Sequence, residues 1–218
     1  TLPIVFGSMP NDGGHLLLSA DEKQALIERE PKAAVWLRRL LGSEEFINGR
    51  ERWCLWLVGI RPEELRAMPA VLERVDAVRR YRLASSRAAT RELAAMPTLF
   101  AEIRHPGSGQ YVLIPKVSSE RRPWIPIGIL PAEVISTDLN LIISHATLYH
   151  FGILSSTMHM AWVRAVCGRL ESRYRYSAGI VYNNFPWPEP PSPQPLSYRE
   201  RGVFVQAFKL TQPSVIRA

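Results

Sequence analysis

The runs LFAEIR (99–104), QYVLIPKV (110–117), PWIPIGIL (123–130), VISTDLNLIIS (134–144) and TLYHFGIL (147–154) decide the fold of this chain. They are short, rich in β-branched and aromatic residues, and separated by Pro, Gly, Ser and Asn. That punctuation breaks helices but suits strands joined by turns. The stretch predicts a twisted, mainly antiparallel sheet, with GSGQY at 107–111 as the turn between two of its strands.

Outward from this sheet the apolar period lengthens. Towards the N-terminus, Pro62 opens a helical segment that is interrupted at Pro69 and ends before Pro97. RWCLWLVGI at 52–60 has the length and content of a buried strand. Ser19 and Glu22 form a capping box, and Leu26, Ile27, Trp36, Leu37 and Leu40 recur at roughly helical spacing, so helix is expected from Ser19 to Leu41. Residues 1–18 read as strand, the turn-rich SMPNDGG, and entry into that helix. Towards the C-terminus, Met158, Trp162, Val166 and Leu170 recur every four residues and predict a further helix; IVYNNFPWPEPPSPQP then reads as a strand and a polyproline-like exit. The fold class is α+β, a twisted mainly antiparallel sheet flanked by helices, with an extended Pro-rich C-terminal segment. Residues 1–190 form the expected domain: a helical part over about 19–96, a sheet-rich part over about 97–154, and helix plus strand over 155–190. Residues 191–218 are a Pro-rich connector and tail. The chain opens on Thr1 and is expected to be a piece of a longer polypeptide.

Charge narrows the partner. Lys and Arg number 27 against 20 Asp and Glu, a net +7, and the pI of 9.8 exceeds the value of about 9 that marks nucleic-acid binders. A polyanion is the expected ligand. No run of about 18 apolar residues spans a membrane, and no cationic amphipathic helix has a bulky apolar face. Cys54 and Cys167 are far apart in apolar surroundings, which favours buried thiols in a reducing cytoplasm over a disulfide, and no Cys/His spacing suits zinc.

The remaining residues carry no recognisable catalytic pattern. Neither GxxxxGK[ST] nor GxGxxG occurs. His145, His150 and His159 lack metal-ligand spacing, and Glu102, Glu120 and Asp138 lack the Glu-x-Lys companion of a metal nuclease. Asn183-Asn184-Phe185-Pro186-Trp187 resembles the loop with which amino-methyltransferases hold a flipped base, but its prolines do not directly follow the Asn. It reads as a structural turn with stacked aromatics.

FGSMPNDGGHLLLS (6–19), EEFINGRERWCLWL (44–57), VRRYRLASSRAAT (78–90), LIPKVSSERRPWIPIG (113–128), the run 140–177 and IVYNNFPWPEP (180–190) together resemble the C-terminal specificity region of MmeI-like (type IIG/IIL) restriction-modification enzymes. These segments follow the family's order over most of residues 1–190; the tail after Pro191 departs from it. The resemblance implies a module that binds double-stranded DNA, reads bases in the major groove, and serves an upstream methyltransferase domain in the parent chain. The fragment itself would not be an enzyme. S-adenosylmethionine, and Mg²⁺ for cleavage, would belong to a parent DNA adenine methyltransferase with or without endonuclease activity.

Within that frame Ser118, Ser119, Glu120, Arg121 and Arg122 offer the donors and acceptor of base readout, with Asn140, Ser144 and His145 as a second set. Arg79, Arg80, Arg82, Arg87, Lys116, Arg173 and Arg175 are expected to contact phosphates. Each set has a structural alternative: a Glu-Arg pair on a surface turn, polar groups satisfying buried backbone, or a solvated helix face. Tyr174 and Tyr176, alternating with arginines, read as one packed face of a strand. The competing function is an interdomain scaffold of the same enzyme without base readout.

Overall fold

The computed structural model describes residues 1–189; the connector and tail at 191–218 lie outside the described residues. Residues 1–185 form one compact unit, and a second begins at Pro186.

The middle of the central stretch, residues 110–144, folds into strands as its punctuation predicts, but its two ends do not: LFAEIR makes only an isolated bridge at Glu102, so GSGQY leads into a single strand and does not join two, and TLYHFGIL is helical over Leu148–Leu154. β5 (Gln110–Pro115) pairs with β7 (Gly128–Pro131) on one side and with β9 (Asn140–Ser144) on the other, and β9 pairs in turn with β1 (Val5–Phe6). Gly109 enters β5 with φ +79, a conformation that glycine adopts without strain. Gly7, just after β1, lets the chain pass close to the backbone that follows β8 (Val134–Ser136): a Cβ there would lie 2.2 Å from the Thr137 carbonyl oxygen.

A second sheet has the order β2 (Leu17–Leu18), β4 (Trp53–Leu55), β3 (Leu37–Leu41), β8 (Val134–Ser136), with β3 and β8 parallel. Here the structure corrects the expected helix over 19–41. α1 (Ala20–Arg29) carries the capping box, with Glu22 N–H donating to Ser19 Oγ at 3.1 Å and Ser19 N–H to Glu22 Oε2 at 2.8 Å. Pro31 drives Glu30 out of the helical region, to φ −137 and ψ 76, and a 3₁₀ segment follows over Pro31–Trp36. Leu37 and Leu40 are then buried by pairing with β4 and β8 rather than by a helix face. Of RWCLWLVGI only Trp53–Leu55 is strand.

α2 (Ser43–Asn48) follows β3 directly. α3 (Pro62–Arg66) and α4 (Pro69–Leu83) both begin on proline, as the sequence indicates, and α5 (Ala88–Glu92) completes the helical part. The main core lies between the second sheet and these helices, with Leu18, Leu40, Leu55, Val71, Val75 and Val78 almost wholly buried.

After β9 come α6 (Leu148–Leu154) and α7 (Thr157–Val166). The expected four-residue period does not hold: Met158 and Leu170 are exposed, and the buried face is His159, Met160 and Val163. α7 stops at Val166, and the chain turns into a hairpin, β10 (Gly168–Leu170) and β11 (Arg173–Arg175), which joins β6 (Val117–Ser118) as a third sheet. The segment expected as a closing strand is a single π-helical turn, Ala178–Tyr182.

Candidate nucleic-acid interface

The small sheet β10-β11-β6 has two chemically distinct faces. Alternation along β11 buries Tyr174, opposite Ser118, and leaves Arg173 and Arg175 exposed on the other side. Tyr176 continues the buried set: its hydroxyl is 3.0 Å from His159 Nε2, and the His159 ring packs on Phe185 at 4.7 Å. Burial lowers the His159 pKa to about 4 and pushes the Tyr176 phenol up. The tyrosines therefore root the ribbon and the arginines project from it. At its tip Glu171 adopts φ 57 and accepts from Arg173 at 2.8 Å, while Arg169 lies 4.0 Å from the Tyr174 ring centroid.

Residues 118–122 lead off from β6 beside this ribbon. Arg121 is 91% exposed and only loosely paired with Glu120, at 3.9 Å. Arg121 N–H donates to Ser119 Oγ and Arg122 N–H to the Ser119 carbonyl, both at 3.2 Å, which holds the turn. Ser119, Arg122 and Arg173 line one groove of about 220 Å³ with residues of α2. Ser118 requires a correction: it is 3% exposed, its Oγ has no partner among the described residues, and it forms part of that groove's wall instead of a surface contact. Lys116, between β5 and β6, holds its ammonium 4.8 Å from the ring centroid of exposed Phe6, with Arg104 at 5.9 Å from the same ring.

Two further expectations are overturned by burial. Asn140 is fully buried; its Nδ2 donates to the Leu41 carbonyl at 2.9 Å and to Ser136 Oγ at 3.2 Å, and its Oδ1 lies 2.9 Å from Ser43 Oγ. It fastens α2 to the sheets and has no surface to offer a base. Arg82 is 1% exposed and donates five hydrogen bonds, to the carbonyls of Pro10, Asn11, Leu93, Met96 and Leu99. Burial lowers its pKa and nearby Asp12 opposes that shift. Phosphate contact is closed to it.

Ser144 and His145 stand at the opposite end of β9 from Asn140. Ser144 pairs with Tyr111 where Asn140 pairs with Pro115, a separation of about 13 Å along the strand. The structure does not bring them to the ribbon. Arg79, Arg80 and Arg87 are exposed on and after α4, with no carboxylate partner within 4.0 Å among the described residues. The turn over Asn183, Asn184 and Phe185 packs Phe185 against Trp162 at 6.2 Å as well as His159, consistent with a structural role. The thiols of Cys54 and Cys167 are buried, and burial pushes Cys54 up to about 12. Among the described residues no cluster of three or more His, Cys, Asp or Glu is placed to hold a metal ion, and no helix is long and apolar enough to cross a membrane.

The ribbon's prominence was hidden in the sequence by the apolar spacing around it, which extends α7 to Leu170. The cue that finds it is the Arg-Tyr-Arg-Tyr alternation at 173–176 after the turn at Glu171. An α+β body presenting a rooted two-stranded ribbon of exposed arginines beside a polar loop defines a nucleic-acid recognition module. The family described as "MmeI, target recognition domain" matches residues 1–189, and the chain belongs to it. It is 42% identical to DNA methyltransferase A of Bacillus subtilis (strain 168) over 184 residues, 84% of this chain and 21% of that protein. It is also similar to a solved structure of the type IIL restriction-modification enzyme MmeI in complex with DNA, at 43% identity and a TM-score of 0.86, covering 98% of this chain and 28% of that one. The chain thus spans less than a third of the length of either relative.

Proposed function

We propose that this domain reads a short sequence in duplex DNA through the β10–β11 ribbon and the adjoining turn at 119–122, and that it does so for a methyltransferase domain elsewhere in a longer chain. The observation that carries this reading is the exposed pair Arg173 and Arg175 on one face of a ribbon. A two-stranded ribbon fits the major groove, and a guanidinium there bonds guanine O6 and N7 together. This moves Arg173 and Arg175 from the phosphate set into the base-reading set, beside Ser119, Glu120, Arg121 and Arg122. Arg79, Arg80 and Arg87 remain the phosphate contacts, with Lys116 between the two groups in role. The DNA-bound state of the MmeI relative supports the choice of ligand. S-adenosylmethionine, the methyl transfer and any Mg²⁺-dependent cleavage belong to other parts of the parent enzyme, which works in the cytoplasm.

The test is quantitative binding of Arg173→Ala and Arg175→Ala to duplexes varied one position at a time. Each variant should lose about 1–3 kcal/mol of discrimination at one position. Equal loss on every sequence would return both residues to phosphate contact and remove the ribbon from base readout.

A further inference from the structure

The groove between α2 and the β6–β11 edge contains a feature that the ribbon alone does not explain. Its wall includes Ser118, almost wholly buried, with a hydroxyl that has no hydrogen-bond partner among the described residues. A buried hydroxyl without a partner costs free energy, so such groups in native proteins are commonly completed by a ligand or by water. The same groove is lined by Glu44, Ile47 and Asn48 of α2 and by Ser119, Arg122 and Arg173.

α2 is held rigidly. Ser43 Oγ has two acceptors within reach of its one proton, the Leu139 carbonyl at 2.7 Å and Asn140 Oδ1 at 2.9 Å, Gly42 N–H donates to Glu45 Oε2 at 2.9 Å, and Glu45 pairs with Arg52 at 3.2 Å. Gly49, at φ 68, ends the helix and leaves Asn48 exposed at the lip of the groove. Asn140, buried beneath, is what fixes this placement. A site for a phosphate would present donors alone. This one mixes the guanidiniums of Arg122 and Arg173 with a carboxylate and an amide that both donates and accepts, and Glu44 is already paired with Arg50 at 2.6 Å. That mixture suits a base edge, where acceptors and donors alternate, and an Asn amide pairs with adenine N6 and N7.

We infer that α2 is a further reading element and that Asn48 is a specificity-determining residue, recognising a base edge that enters the groove beside Ser118. This rests on the proposed reading of DNA by the ribbon. It is tested by measuring the affinity of the whole chain, wild type and Asn48→Ala and Asn48→Asp, on a set of duplexes changed one base pair at a time. Asn48→Ala should flatten the preference at one position, roughly tenfold in relative affinity, and leave the positions read by Arg173 and Arg175 unchanged. Asn48→Asp, which keeps the shape but loses the amide donors, should shift the preferred base at that same position. Unchanged preferences in both variants, with wild-type selectivity intact, would overturn the role of α2 while leaving the ribbon's role standing. Uniform weakening on all duplexes would make the groove a phosphate site and likewise overturn it. A wild-type chain with no sequence preference would overturn both readings.

Discussion

Replacing Arg82 by Met should damage the fold and not the interface. The substitution keeps the apolar stem and removes a guanidinium that donates to five carbonyls at between 2.7 and 3.1 Å. Each buried acceptor left short costs about 1 kcal/mol, and the lost charge leaves Asp12 less compensated. Against this, an expensive buried cation is no longer desolvated. The net loss is expected at about 3–5 kcal/mol, the range found when one partner of a buried charged network is removed. For a domain of this size that corresponds to a fall in Tm of about 6–20 °C. Denaturant and thermal unfolding of Arg82→Met beside Arg80→Ala provide the assay, since Arg80 is the exposed neighbour on the same helix. Arg80→Ala should change stability by no more than about 0.5 kcal/mol. An Arg82→Met protein as stable as wild type but weaker on all DNA would refute the assignment of Arg82 to the core.

Arg80→Ala should instead weaken binding to every duplex alike and reduce the salt dependence by about one unit of slope, as measured by titration at several salt concentrations; a changed consensus would contradict its phosphate role. Glu120→Ala or Arg121→Ala should alter preference at one position by about 1–3 kcal/mol in the same competition format, and loss that is equal on all sequences would count against base reading. His159 gives the fold an acid sensitivity. Its folded pKa of about 4 lies below the ordinary 6.5 because burial disfavours the cation, so the unfolded chain binds the extra proton between these values. Stability is therefore full above pH 6.5 and falls by up to about 3 kcal/mol as pH drops towards 4. Urea unfolding across that range should show the slope, and His159→Asn should flatten it.

How far the fold could be read from sequence depended on whether local signals and long-range pairing agreed. Strands β5 and β9 agree with their own composition, and α1 begins where its capping box places it. Leu37 to Leu41 does not: its leucines fit a helix period, but partners distant in the chain, β4 and β8, claim it as strand after Pro31 breaks the helix. Likewise the apolar spacing past Val166 concealed the β10–β11 turn at Glu171. In the candidate site, exposed arginines and the polar turn at 119–122 were readable from residue type, whereas burial was not. Arg82 does continue the buried stripe of Val71, Val75 and Val78 on α4, so the helical period itself marks it as inward. Asn140 and Ser118 carry no such local mark, because their burial is created by α2 and by β11 packing over them from elsewhere in the chain.

The most direct test of the central claim is selection of this domain on a randomised duplex library near physiological salt, followed by sequencing of the retained molecules. A short enriched motif is the expected result. Retention without a motif would reduce the domain to phosphate binding, and no retention at all would contradict DNA recognition and favour an interdomain scaffold.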